Sequence, residues 1–159
     1  MPTKTAIVTG ANRGIGLEIA RQLVQEGVRV VLACRDPAKG ERAAKSLGAG
    51  DLALAHSLDV NDTKSVRRLA AFVQKELGAP AILVNNAGVY PEEADAKVLT
   101  TRTSLWRETF ETNLFGAVRL CREIVPLMER VRYGRVVNVS SGLGQISQMG
   151  AESPAYRVS

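Results

Sequence analysis

The chain of 159 residues predicts an α/β protein: a doubly wound parallel sheet of about five strands with helices on both faces. Three observations lead there. Short apolar runs alternate with longer amphipathic ones, the pattern of βαβ units joined by right-handed crossovers. The run Val30-Val31-Leu32-Ala33 is apolar at every position, whereas a sheet with one wet face would alternate; a sheet covered on both sides fits it. Finally, Thr5-Ala6-Ile7-Val8 passes through Thr9-Gly10-Ala11-Asn12-Arg13-Gly14-Ile15-Gly16 into an amphipathic run, which reads as strand, glycine turn and helix.

The first strand spans Thr5 to Thr9. A helix follows from Gly14 to about Glu26, with Ile15, Ile19, Leu23 and Val24 on its apolar face, and Gly27 ends it. Val28 to Cys34 is the second strand. Arg35-Asp36-Pro37 turns into a helix over Ala38 to Leu47. Leu52 to Leu58 is the third strand, and Asn61 or Asp62 caps a helix running to about Leu77, where Gly78-Ala79-Pro80 breaks it. Ala81 to Val84 is the fourth strand, followed by a loop with Asn85-Asn86-Ala87-Gly88 and Pro91. The longest helix runs from about Ser104 to Val131. Its apolar face is Trp106, Phe110, Leu114, Ala117, Cys121, Val125 and Met128, and Pro126 inside it should bend it. Arg135 to Val139 is the fifth strand.

Composition bounds the function. Hydrophobic residues at 45% and charged residues at 23% suit a soluble globular domain, and aromatics at 4% make the core aliphatic. No apolar run approaches a membrane span and no leader is read, so the expected location is cytoplasmic. Net charge is +5, yet no run of five Lys/Arg or aromatic-studded basic stretch occurs, so no nucleic-acid partner is expected. Cys34 and Cys121 read as buried thiols rather than a disulfide, His56 as structural, and no Cys/His spacing suggests a metal.

The glycine turn carries the first chemistry. A chain reversing in so few residues needs at least one positive φ. A second glycine lets the backbone approach a bound group, and a third lets the helix pack on the strand. The N–H groups opening the helix then face an anion, typically a dinucleotide pyrophosphate. The spacing Gly-x3-Gly-x-Gly, set this close to the N-terminus as Thr-Gly-x3-Gly-Ile-Gly, resembles the cofactor loop of the short-chain dehydrogenase/reductase family. That resemblance implies a Rossmann-type fold, with Gly10, Asn12, Arg13, Gly14, Ile15 and Gly16 at the cofactor.

The remaining motifs fall where ligands bind such sheets, beyond the carboxyl ends of the strands. After strand two, Cys34-Arg35 offers no carboxylate for a ribose hydroxyl. Arg35, with Arg13, could pair with a phosphate, which favours NADP(H) over NAD(H), although Asp36 adjoins Arg35. Leu58-Asp59-Val60 resembles the family's adenine-contacting segment; read alone, Asp59 is as readily a loop or capping aspartate. Asn85-Asn86-Ala87-Gly88 resembles a segment specific to the family, with Asn86, Ala87 and Gly88 at the cofactor, Asn86 near its ribose, and the motif bracing the sheet. In Thr112-Asn113-Leu114-Phe115-Gly116, the family's matching Asn holds a water in a proton relay. In Asn138-Val139-Ser140-Ser141-Gly142-Leu143-Gly144, the family pattern selects Ser141 over Ser140 to orient substrate.

The final segment, Ser153-Pro154-Ala155-Tyr156-Arg157-Val158-Ser159, resembles the family's Tyr-x3-Lys segment. Tyr156 would be the general acid, and its phenol, with an ordinary pKa near 10, must be lowered to work at neutral pH. The Lys would fall just after Ser159. The resemblance therefore implies a single dinucleotide-binding domain, incomplete at its C-terminus, whose fifth strand is an exposed edge. Weak or absent turnover with some cofactor affinity is expected of this form.

The leading expectation is an NADPH-dependent carbonyl reductase or alcohol dehydrogenase acting on a small ketone, aldehyde or alcohol. Asn12 to Leu17 and Arg135 to Ser141 are similar to the carbonyl-reductase branch. The alternative is a non-catalytic dinucleotide-binding protein. The substrate pocket would be lined by the loop after Val89 and by Gln145 to Pro154. The resemblance also implies a homo-oligomer through the long helix and its Tyr-bearing neighbour, and for a form without that neighbour it leaves the oligomeric state open.

Overall fold

The computed structural model describes residues 3–91 and 101–141. Five strands, β1 (Thr5–Thr9), β2 (Arg29–Cys34), β3 (Ala53–Ser57), β4 (Ile82–Asn85) and β5 (Arg135–Asn138), form one sheet in the order β3-β2-β1-β4-β5. Every neighbouring pair is parallel, with Ile7 opposite Val31 on one side and Leu83 on the other. The chain begins at the centre, winds out to β3, then returns past β1 to β4. That reversal opens a crevice at the carboxyl ends of β1 and β4.

Side-chain alternation builds two cores. Ile7, Val31 and Leu83 face a cluster with Val66, Leu69, Leu120 and Ile124. Ala6, Val8, Val30, Leu32 and Val84 face the other way, onto Ala20, Ala43 and Ala44. The first cluster is covered by α3 (Thr63–Phe72) and α5 (Gly116–Arg130), the second by α1 (Gly14–Gln25) and α2 (Pro37–Ser46). Val30 to Ala33 are all fully buried, as their unbroken apolar run requires.

Several boundaries move by a residue or two, each for a local reason. Asp36 caps α2 by accepting from the Lys39 N–H at 3.1 Å, which lets Pro37 occupy the first turn. Of the two candidate caps for α3, Asp62 does the work, accepting from the Lys64 N–H at 2.9 Å. Leu52 leaves the third strand for a short 3-10 turn, Gly50–Leu52. Asn85 joins β4 and pairs in register with Asn138.

Two expected apolar faces are corrected. Ile15 is 66% exposed, because it stands in the first turn of α1 over the crevice rather than over the sheet; Gly16 and Ala20 are the buried positions. The long helix is interrupted: α4 (Thr103–Phe110) passes through a π turn, Glu111–Phe115, into α5. The wider turn accommodates an extra residue and rotates the stripe that follows. Thr112, Gly116, Leu120, Ile124 and Leu127 therefore turn inward, while Leu114 is exposed and Cys121 and Val125 are half-buried. Met128 is buried as expected, and Pro126 sits on the exposed side of a helix that continues to Arg130.

The edge strand β5 is exposed along its length, as expected. Among the described residues no helix is long and apolar enough to cross a membrane, and no cluster of metal-ligating side chains occurs.

Candidate active site

The site is built from strand ends. Thr9, fully buried at the end of β1, is its hub. Its hydroxyl donates to the Val84 carbonyl at 3.3 Å and accepts the N–H groups of Asn86 at 3.0 Å and Ala87 at 2.9 Å. One side chain thus joins the glycine turn to the loop after β4. The Asn86 amide completes the junction, donating to the Thr9 carbonyl at 2.8 Å and lying 3.5 Å from the Gly10 carbonyl.

The glycines follow from this junction. Gly10 and Gly14 have φ of 66° and 56°, so two positions need the left-handed region rather than the one that a turn minimally requires. A Cβ on Gly16 would lie 2.4 Å from Asn86 Nδ2 and 2.7 Å from the Gly10 carbonyl oxygen. Arg13, the extended residue before α1, makes no side-chain cap, and the first turn holds no acidic residue. The opening N–H groups are thus offered to an anion.

Two cavities meet above these strand ends. The first, about 370 Å³, is lined by Gly10, Asn12, Arg13, Gly14, Ile15, Gly16, Arg35, Asp59 and Val60, together with Asn86, Ala87 and Gly88. All twelve expected cofactor residues therefore come together. The second, about 680 Å³, shares Ile15, Val60, Asn86, Ala87, Gly88 and Thr112 with it and continues past Asn113 to Ser141.

The first cavity carries two cations, Arg13 and Arg35, and one carboxylate, Asp59. Arg13 and Arg35 are exposed, and among the described residues neither belongs to an ion pair. Asp36, the expected competitor for Arg35, turns instead to Lys39, whose N–H holds its carboxyl below the ordinary carboxylate range. Burial pushes the neighbouring Cys34 thiol up and keeps it uncharged. Asp59 accepts from the Asn61 N–H at 2.9 Å, and its own N–H donates to Ser65 Oγ at 3.0 Å, which fixes the turn below the cavity.

In the second cavity Asn113 sits in the π turn. Its amide is engaged with Val89, accepting the backbone N–H at 2.8 Å and donating to the carbonyl at 3.1 Å. Ser141 lines the far wall. Tyr156 and the expected lining segment Gln145 to Pro154 lie outside the described residues, so the serine–tyrosine pair is not assembled in the part described.

One site residue was given no role in the sequence. It is Thr9, whose signal is a hydroxyl at the last position of a strand with an apolar centre. Asn85, expected with its motif to brace the sheet, is buried to 7% exposure; its Nδ2 donates to Asn138 Oδ1 at 2.8 Å and reaches Cys121 Sγ at 3.6 Å. It locks β4 to β5 next to Ser141. Both thiols are free, as expected.

Comparison with known proteins agrees with this architecture. The (+)-neomenthol dehydrogenase of Arabidopsis thaliana is 40% identical over 91% of this chain and 55% of its own length. Human carbonyl reductase (NADPH) 3 is 42% identical over 87% of this chain and 49% of its own. A solved metagenomic short-chain oxidoreductase in complex with NADP superposes with a TM-score of 0.86 at 33% identity, covering 99% of this chain and 70% of that one. The chain spans about half the length of the curated relatives it matches. The family model described as short chain dehydrogenase matches residues 4–159. With that match over nearly its whole length, the chain belongs to the short-chain dehydrogenase family.

Proposed function

We propose that residues 1–159 form the dinucleotide-binding unit of an NADPH-dependent oxidoreductase that reduces a ketone or aldehyde to an alcohol, or runs the reverse. The observation that carries this reading is the pair Arg13 and Arg35 at one cavity, with Cys34 in place of a carboxylate and Asp36 turned onto Lys39. Two guanidiniums that no carboxylate pairs with among the described residues suit the extra 2′-phosphate, which Arg recognises through paired donors. The human relative named for NADPH and the neighbour solved with NADP support the same cofactor.

The remaining residues fit the rest of the dinucleotide. The open space at Gly14 and the uncapped start of α1 suit a pyrophosphate. Asp59 suits the adenine amine, and Asn86 to Gly88 form the wall shared by the two cavities. When bound, the nicotinamide supplies or accepts the hydride. The chain's own part is positioning and proton transfer. Ser141 orients the carbonyl, and Tyr156 gives its phenolic proton to the carbonyl oxygen on reduction and takes it back on oxidation. A cation beside that phenol would bring it down toward neutral pH. Asn113, on the wall of the second cavity, holds the Val89 loop, which lines the first, against the long helix.

Fluorescence titration with NADPH and NADH, followed by a panel of carbonyl substrates, tests the reading. NADPH binding at least about tenfold tighter than NADH, the worth of one charged hydrogen bond, with turnover of a carbonyl is expected. Equal or tighter NADH binding overturns the cofactor choice, and binding of neither overturns the reading. Tight NADPH binding without turnover by the full-length protein moves the assignment to a non-catalytic dinucleotide-binding protein.

A further inference from the structure

The turn beneath the first cavity, Leu58 to Asn61, is held from an unexpected direction. Leu58 and Val60 bury their side chains in the core at 2% and 7% exposure, the Leu58 and Asp59 N–H groups bond to Cys34 and Ser65, and two further polar groups of the turn are held by the long helix. Asn61 Nδ2 donates to Thr112 Oγ1 at 2.9 Å. Val60 Cγ2 occupies the place of a Cβ on Gly116, 2.8 Å from where that atom would stand. Arg119 Nη1 donates to the Val60 carbonyl at 3.4 Å, and Glu111 pairs with the same guanidinium through Nη2. Thr112, Gly116 and Arg119 are spaced four and three residues apart, so they form one stripe of the helix. The next residue after Thr112 is Asn113, which holds the opposite wall through Val89.

We propose that Arg119, braced by Glu111, is a cofactor-positioning residue that holds the Asp59–Val60 turn in the shape that receives the adenosine end of the dinucleotide. The assignment rests on the dinucleotide reading above. Neither Arg119 nor Glu111 lines either cavity; they act through the Val60 carbonyl. A fixed turn presents Asp59 already oriented, so binding does not have to order it. Without Arg119 the Val60 carbonyl loses its charged donor, while the apolar anchors, the Asn61–Thr112 bond and the bonds of Leu58, Asp59 and Asn61 N–H remain.

The test uses Arg119→Leu, Arg119→Lys and Asn61→Ala in the full-length protein. The probes are NADPH, adenosine 2′,5′-bisphosphate and reduced nicotinamide mononucleotide. Arg119→Leu is expected to weaken NADPH and the bisphosphate alike by about five- to tenfold, the loss of one hydrogen bond to a charged donor. It should leave the mononucleotide within about twofold, a split between the two ends that a general loss of structure would not produce. Arg119→Lys should recover part of the affinity, since its ammonium can still donate to the carbonyl. Hydrogen exchange of the 58–62 segment in the free protein should rise in Arg119→Leu. Asn61→Ala removes the other polar bond between the turn and the long helix, at a residue that itself lines the first cavity. Unchanged bisphosphate affinity in both Arg119→Leu and Asn61→Ala overturns the assignment, as does an equal loss for the mononucleotide. Failure of the wild-type protein to bind either NADPH or the bisphosphate overturns the dinucleotide reading, and this assignment falls with it.

Discussion

Gly16→Ala tests the junction between the glycine turn and the loop after β4. The added Cβ would stand 2.4 Å from Asn86 Nδ2, 2.7 Å from the Gly10 carbonyl oxygen and 3.1 Å from Ala11 Cα. Ordinary contact starts near 3.5 Å, so the Asn86 amide must retreat by about 1 Å. Its 2.8 Å bond to the Thr9 carbonyl would then be broken, a loss of about 1 kcal/mol. Gly10 is backbone and moves less readily, so overpacking adds about 1–3 kcal/mol. Alanine returns about 1 kcal/mol through its better helix propensity. The net cost is about 1–3 kcal/mol, a fall in Tm of about 2–12 °C for a chain of this size, with weaker NADPH binding. Thermal unfolding followed by circular dichroism reads the first and fluorescence titration the second. A double-mutant cycle locates the effect, because Asn86→Ala should cost less in the Gly16→Ala background than in the wild type. A Tm within about 1 °C of wild type, or an identical cost of Asn86→Ala in both backgrounds, would refute the steric reasoning.

Thr9→Val keeps the shape of a buried side chain but removes the acceptor of two N–H groups; it should cost about 2–4 kcal/mol in urea unfolding, because both donors are left without a partner. Arg35→Ala should weaken NADPH binding by about 10- to 100-fold and leave NADH almost unchanged, reflecting loss of a charged hydrogen bond to a phosphate. His56 is half-buried against Phe72, with ring centroids 4.8 Å apart. Burial lowers its pKa, opposed by the bond that the ring donates to the Ser57 backbone and helped by nearby Arg68. The folded state thus binds the proton more weakly than the unfolded one. The contribution of His56 to stability is therefore full above its unfolded pKa, about 6.5, and declines as pH falls below it. His56→Gln should flatten that decline between about pH 7 and 5 in denaturation midpoints, and an unchanged slope would refute it.

The sequence by itself determined the parallel α/β order, the strand-ending motifs and the residues that gather at the first cavity. These are local properties: unbroken apolar runs specify strands covered on both faces, and a glycine turn between strand and helix specifies the anion site. Ile15 and Leu114 were misplaced because periodicity assigns a face within one regular helix. A residue at the helix start over a crevice, and the residues around a π turn, escape that rule. Only the tertiary structure decided that Asp36 turns away from Arg35, that Thr9 and Asn86 join two loops 77 residues apart, and that Arg119 reaches the Val60 carbonyl. Each is a hydrogen bond whose partner is chosen by how elements distant in sequence pack together. The residue types revealed that partners were needed, and the packing selected which ones.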